Sequence, residues 1–194
     1  MFRKKKPPVQ DTWTLPNALV DNFDSYNLEF VAFIHEESEK YLNATLKSGE
    51  GITKKAHAVL TVAVTVLTIS FGYIVGQLEQ KKQMLIFIAA IVLCLLCIVI
   101  IAYLIQSLLT YNAFEVGTQP KRLLREEFIT GFSSNEGRIK NMYLNLCVNQ
   151  QERIEYNVTT NQKRSRIVDL SLFALLAAPL VSIGLGLALY YISF

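Results

Sequence analysis

A chain of 194 residues in which 52% are hydrophobic and only 18% charged is too apolar for an ordinary water-soluble domain, whose charged share is about a quarter. The net charge of +3 is modest, and Lys and Arg are spread along the chain with no aromatic stacking platform among them, which excludes nucleic acid as a partner and favours anionic lipid headgroups. Three cysteines do not make a disulfide framework.

The first segment, MFRKKKPPVQDTW, has a basic cluster with no apolar stretch behind it, so residues 1–18 read as a flexible basic arm rather than a cleavable signal peptide. Leu19, Phe23, Tyr26, Phe30, Phe33 and Glu37 then step by three and four, which places all but the last as an apolar stripe on one helix face. An amphipathic helix over Leu19–Leu46 is expected, within a cytoplasmic segment 19–57. Its polar face carries Asp24, Glu36 and Glu39, so the stripe should pack on a partner rather than lie on lipid. A turn is expected at SGEG, and Lys54 and Lys55 mark the headgroup boundary.

Three runs carry no formal charge: Ala58 to Leu78, Gln83 to Phe114, and Leu170 to Phe194. Each exceeds the roughly 20 residues needed to cross a hydrocarbon core. Residues 58–109 therefore read as a transmembrane hairpin with a tight turn at LEQKK, and 168–194 as a C-terminal transmembrane helix. Residues 1–57 hold eight Lys or Arg and residues 111–167 hold nine, against Lys81 and Lys82 alone in the turn. By the positive-inside rule the N-terminus and the connection are cytoplasmic and the C-terminus, with Tyr190 and Tyr191 as an interfacial anchor, is outside. The sequons Asn43-Ala-Thr45 and Asn157-Val-Thr159 then face the cytoplasm, where they are not glycosylated. Cys94 and Cys97 form a C-x-x-C inside a span, where packing is the expected role; Cys147 is expected to be cytoplasmic and reduced.

In the connection, residues 110–167, Thr118-Gln-Pro120 gives a helix start and KRLLREEF its body. GFSSNEG breaks it. Ser134 followed by Glu136 and Gly137 opens a helix that has no Pro or Gly before the membrane, so it should run unbroken into the last span. On it Asn141, Asn145, Asn149, Arg153, Asn157 and Asn161 recur at four-residue spacing. Each such step drifts about 40° on a straight helix, so only three neighbours share a face. This cytoplasmic polar face is either solvated or an amide ladder in an assembly.

Catalytic and metal sets fail on spacing. His35-Glu36-Glu37 lacks the second histidine of a metalloprotease helix, no phosphate or dinucleotide loop occurs, and the spans carry no charge for ion coupling. Neither an enzyme nor a secondary transporter is expected, and no cofactor or metal. The spans do carry small-residue faces: Thr61, Thr65, Thr68, Gly72 and Gly76 in the first, Ala174, Ala178, Ser182 and Gly186 in the third. Such faces let backbones approach in lipid, either within one chain or between chains, where the hydroxyls could line a pore. The second span is bulkier and reads as lipid-facing. Pro179 invites a kink.

The fold class is thus an all-α membrane protein, three transmembrane helices with an amphipathic N-terminal helix and a cytoplasmic helical connection running into the last span. That order of parts, with IEYNVTTNQKRSRIVDLSLFALLAAPL leading into the last span and Asn157, Asn161, Lys163, Arg164 and Arg166 before it, resembles the small membrane effectors of bacterial anti-phage systems, those of Pycsar and the related CBASS and SLATT-type proteins. The resemblance runs from about Leu19 onward. It implies an inner-membrane effector of abortive infection that oligomerises on an infection signal and breaches the bilayer, with membrane lipid and copies of itself as partners, and with a nucleotide second messenger or a protein from a neighbouring gene as trigger. No ligand residue carries over, because no firm motif matches, and the chain departs from the pattern in showing no separate cyclic-nucleotide-binding domain, which leaves the trigger open. The alternative is a non-catalytic structural or regulatory subunit of a larger membrane complex.

Overall fold

The computed structural model describes residues 26–77, 84–109 and 134–192. Among them every residue but Tyr26, Asn27 and Ser134 is helical, and there is no strand. The helices are α1 (Leu28–Gln77), α2 (Met84–Leu109) and α3 (Asn135–Ile192). All three are long and apolar enough to cross a membrane. The fold is that of an all-helical membrane protein.

Local chemistry sets the helix starts. The Asn27 side-chain oxygen accepts the Phe30 N–H at 2.9 Å, and the Ser134 hydroxyl accepts the Gly137 N–H at 3.1 Å, each satisfying a first-turn donor that has no intrahelical partner. The cap on α3 is the one the sequence signals, and α3 then runs unbroken for 58 residues, about 87 Å at 1.5 Å per residue. Pro179 sits at an exposed position inside it without ending it.

One expectation for α1 is corrected. The helix does not turn at SGEG: it is continuous through Gly49 and Gly51 to Gln77. Each glycine costs about 1 kcal/mol relative to alanine in a helix, but helices of this kind owe their stability to packing more than to propensity, and Gly49 is buried. The aromatic stripe faces outward within this chain, and nothing in one chain bears on its packing against a partner. Phe33 is 59% exposed and Phe30 is exposed beside it, while Tyr26 stacks on Phe30 at 5.4 Å. Leu19 and Phe23, the LEQKK turn with Lys81 and Lys82, and the helix expected after Pro120 lie outside the described residues.

The chain divides into two compact units, Met1–Lys47 with Ala113–Thr159, and Ser48–Asn112 with Thr160–Phe194. In the first unit α1 presents Val31, Leu42 and Thr45 as buried residues with His35 and Ser38 half-buried between them. The steps are four, three, four and three. α3 answers with Lys140, Leu144, Cys147, Gln150, Ile154 and Asn157, again spaced by threes and fours. This is the 3.5-residue period of a coiled-coil seam rather than the 3.6-residue period of a helix on a broad core.

The second unit keeps the same period. Gly49, Ala56, Val59, Ala63 and Ser70 are buried on α1, Cys94, Cys97, Ile100, Leu104 and Ser107 on α2, and Asn161, Arg164, Val168, Ser171, Leu175, Ala178 and Ser182 on α3. One cluster joins the three helices through Ala56, Val59, Ala63, Cys97, Ile100, Leu104, Val168 and Leu175. The second span is therefore not simply lipid-facing: one edge of it is core, and Leu95, Ile98 and Val99 point away. Cys94 approaches the Leu67 carbonyl at 4.0 Å while Ser107 meets Gly49 through Arg164, so α2 runs antiparallel to α1. Gly186 lies against Ala89, which makes α2 antiparallel to α3 as well. Only 17–22% of each helix's most apolar stretch is buried inside the protein. The remaining apolar surface needs lipid as its solvent.

Candidate functional site

The seams contain far more polar side chains than a stable helical core needs, and in each unit several of these are hydrogen-bonded across the helices. In the second unit the centre is Arg164, which is 1% exposed. Its Nε donates to the Ser107 carbonyl at 3.1 Å, one terminal nitrogen to the Gly49 carbonyl at 3.4 Å, and the other to the Thr53 hydroxyl at 2.8 Å. Thr53 in turn donates to the Gly49 carbonyl at 3.0 Å, so its hydroxyl accepts from Arg164 and spends its single proton on Gly49. One guanidinium on α3 thus bonds both α1 and α2. Ser107 lies in the last turn of α2, where carbonyls carry the negative end of the helix dipole and favour a cation.

A buried cation costs several kcal/mol in desolvation, which hydrogen bonds of good geometry must offset. Glycine at position 49 helps: with no side chain, its carbonyl is open to an approaching donor. Close by on the surface of this unit, Lys55 and Asp169 pair at 3.5 Å, and the Ser165 hydroxyl donates to Asp169 at 3.2 Å. Both charges are largely exposed, so the pair contributes little to stability.

In the first unit the polar residues form a chain across α1 and α3. The Gln150 side-chain nitrogen lies 3.2 Å from His35 Nε2, and the Ser38 hydroxyl sits between the Gln150 amide oxygen and the His35 carbonyl. Its one proton can serve either. The His35 and Tyr143 rings meet at 5.1 Å. Further along, the Asn157 amide donates to the Thr45 hydroxyl at 3.4 Å, which donates to the Leu42 carbonyl at 2.7 Å. Cys147 is buried and free, and burial pushes its thiol above the ordinary range, so it is a poor nucleophile at neutral pH.

The residues singled out in the sequence are divided by these seams. Asn145 is exposed and Asn141, Asn149 and Arg153 are partly so, whereas Asn157 and Asn161 are buried. The Asn145 amide bonds the Asn141 carbonyl at 2.9 Å and Asn149 that of Asn145 at 2.8 Å, each within its own helix. Thr61, Thr65, Thr68, Gly72 and Gly76 are all exposed, and each threonine hydroxyl returns to the carbonyl four residues earlier at 2.9 Å. A Cβ at Gly72 or Gly76 would meet nothing within 4 Å. The other small-residue face is consumed inside the chain: Ala178, Ser182 and Gly186 are buried and Ala174 is exposed. A Cβ at Gly186 would stand 3.1 Å from that of Ala89.

Arg164, Thr53, Gly49, Ser107, Gln150 and Ser38 were not legible as a site. The sequence reading places Arg164 among residues facing headgroups; the structure buries it, because position 164 falls on the 3.5-residue seam. That period is the signal that could have found it. Among the described residues no group of His, Cys, Asp or Glu is placed to hold a metal ion.

No protein-family model, curated protein or solved structure matches this chain.

Proposed function

We propose that this protein is a membrane-disrupting or pore-forming effector of a bacterial anti-phage system, resident in the inner membrane, triggered through the cytoplasmic helices of its first unit and acting by oligomerisation. The observation that carries the reading is the outward Thr61–Gly76 face, open to approach at both glycines, on a protein whose other small-residue face is already filled. In lipid, close backbone approach rather than hydrophobicity drives helix association, so an unfilled face of this kind is where a second copy would bind. The polar seam of the first unit supports a triggerable element, since polar residues at core positions lower stability while specifying one arrangement. Three spans cannot enclose an aqueous path, so any pore needs several chains.

The test is expression of the full chain alone in a bacterium, with membrane potential followed by a voltage-sensitive dye. Depolarisation on expression, or on removal of a neighbouring gene product that silences it, is expected. An inert protein that is degraded unless a larger complex is co-expressed would overturn the reading. That outcome belongs to the alternative, a structural or regulatory subunit, which the exposed Phe30, Phe33 and Tyr41 favour as a contact face for another protein.

A further inference from the structure

The second unit poses a problem of register. Along α3 its seam reads Asn161, Arg164, Val168, Ser171, Leu175, Ala178, Ser182 and Gly186. A slip of α3 by seven residues, about 10.5 Å, would bring Ser171 to the place of Arg164, Leu175 to that of Val168, and Ala178 to that of Ser171. Packing in lipid discriminates weakly among such exchanges, because helix association there has no hydrophobic driving force and small residues fit many partners.

Arg164 does discriminate. In the observed register its guanidinium meets two carbonyls and a hydroxyl on α1 and α2. A slip that carried it deeper would set a cation among Val59, Ala63, Cys97 and Ile100, where a charged side chain is expensive. A slip the other way would put Ser171, with one donor, before acceptors that now receive three. We infer that Arg164 is the positioning residue that fixes the axial register of α3 against α1 and α2 in the membrane-spanning unit. Its burial specifies one arrangement, as a single polar residue at a core position does in a coiled coil, and adds little or no net stability. The inference does not depend on the proposed function.

The close approach of Gly186 to Ala89 gives a reporter. In the full chain in native membranes, Ala89→Cys with Gly186→Cys should form a disulfide on mild oxidation, because a Cβ at Gly186 would stand 3.1 Å from that of Ala89 and a shift of a few tenths of an ångström brings the pair to disulfide spacing. Adding Arg164→Met should leave insertion, helical content and thermal unfolding as in the parent pair. The initial rate of disulfide formation should fall by at least about tenfold, the ratio that loss of one charge-assisted hydrogen bond corresponds to. An unchanged rate in a folded Arg164→Met protein would show that packing alone sets the register and would overturn the inference. If Arg164→Met does not fold, the claim that the residue adds little stability is wrong, and Thr53→Val decides the rest. That isosteric change removes one acceptor: a slowed disulfide in a protein of parental helicity keeps Arg164 as the register pin, and a parental rate overturns it.

Discussion

α1 and α3 each carry a row of small residues at helical spacing, and the protein uses the two rows in opposite ways. On α3, Ala178, Ser182 and Gly186 turn inward, and Gly186 admits Ala89 so closely that even a methyl group would crowd it. On α1, Thr61, Thr65, Thr68, Gly72 and Gly76 turn outward, and a Cβ at either glycine would meet nothing within 4 Å. Composition does not separate them. What does is the angular position of each row relative to the 3.5-residue seam: Ala63 and Ser70, the residues of α1 that do pack, lie between the members of the outward row. A small-residue motif therefore says that a close approach is sterically open, and the packing seam says whether it has been taken.

Substitutions matched across the two rows sharpen this contrast. Gly186→Leu should have the largest effect, because the Ala89 atoms it would meet include backbone and overpacking of this kind costs about 1–3 kcal/mol; thermal unfolding in detergent and a changed protease pattern would show it. Gly72→Leu should leave the isolated chain within about 0.5 kcal/mol of parent by the same assay. A comparable loss at both sites would erase the distinction.

The asparagine row on α3 offers a second contrast. Asn157→Ala, which strips the Thr45 hydroxyl of a buried donor, should destabilise by about 1–2 kcal/mol, whereas Asn145→Ala, whose amide bonds its own helix at the surface, should change stability by less than about 0.5 kcal/mol. Urea unfolding followed by circular dichroism measures both.

Cys147 tests the first unit by reactivity. Its thiol is held in the neutral form by burial, so alkylation at neutral pH should run at least about tenfold slower than at an introduced Asn145→Cys. The unfolded chain ionises this thiol at a lower pH than the folded one. Its contribution to stability is therefore complete below the ordinary thiol range and is lost as pH rises from that range through the raised value. Alkylation of Cys147 as fast as the surface thiol would contradict the packed seam.

The smallest effect is expected on the outward row itself. Thr65→Val removes a hydroxyl that serves only the Thr61 carbonyl among the described contacts, and the monomer should change by less than about 0.5 kcal/mol.

The parts of this architecture that were legible in the sequence are those that depend on one property averaged over many residues. Three charge-free runs give three spans, and the absence of a breaker after the Ser134 cap gives the unbroken α3. What was hidden depends on single residues in unfavourable local company. SGEG looks like a turn because glycine is a poor helix former, yet Gly49 is helical and its bare carbonyl receives Arg164. Tyr26, Phe30 and Phe33 form the conspicuous apolar stripe, yet the face packed within the chain is another, where the polar His35, Ser38 and Thr45 alternate with Val31 and Leu42 and dilute the hydropathy signal. The four-residue rows mislead for a geometric reason: each step drifts about 40°, so Asn145 and Asn157, or Ala174 and Ser182, share a spacing without sharing a face.

The central claim, that the outward row on α1 is where copies of this protein meet, is tested most directly by crosslinking Gly76→Leu in native membranes beside the parent. A Cβ there would meet nothing within 4 Å and leucine suits lipid, so the variant should insert and give the parental protease pattern. Contacts between helices in lipid are worth about 1 kcal/mol each, so its crosslinked oligomer should fall severalfold, and depolarisation of the host with it. Parental oligomer and parental depolarisation in a Gly76→Leu protein that inserts normally would contradict the account.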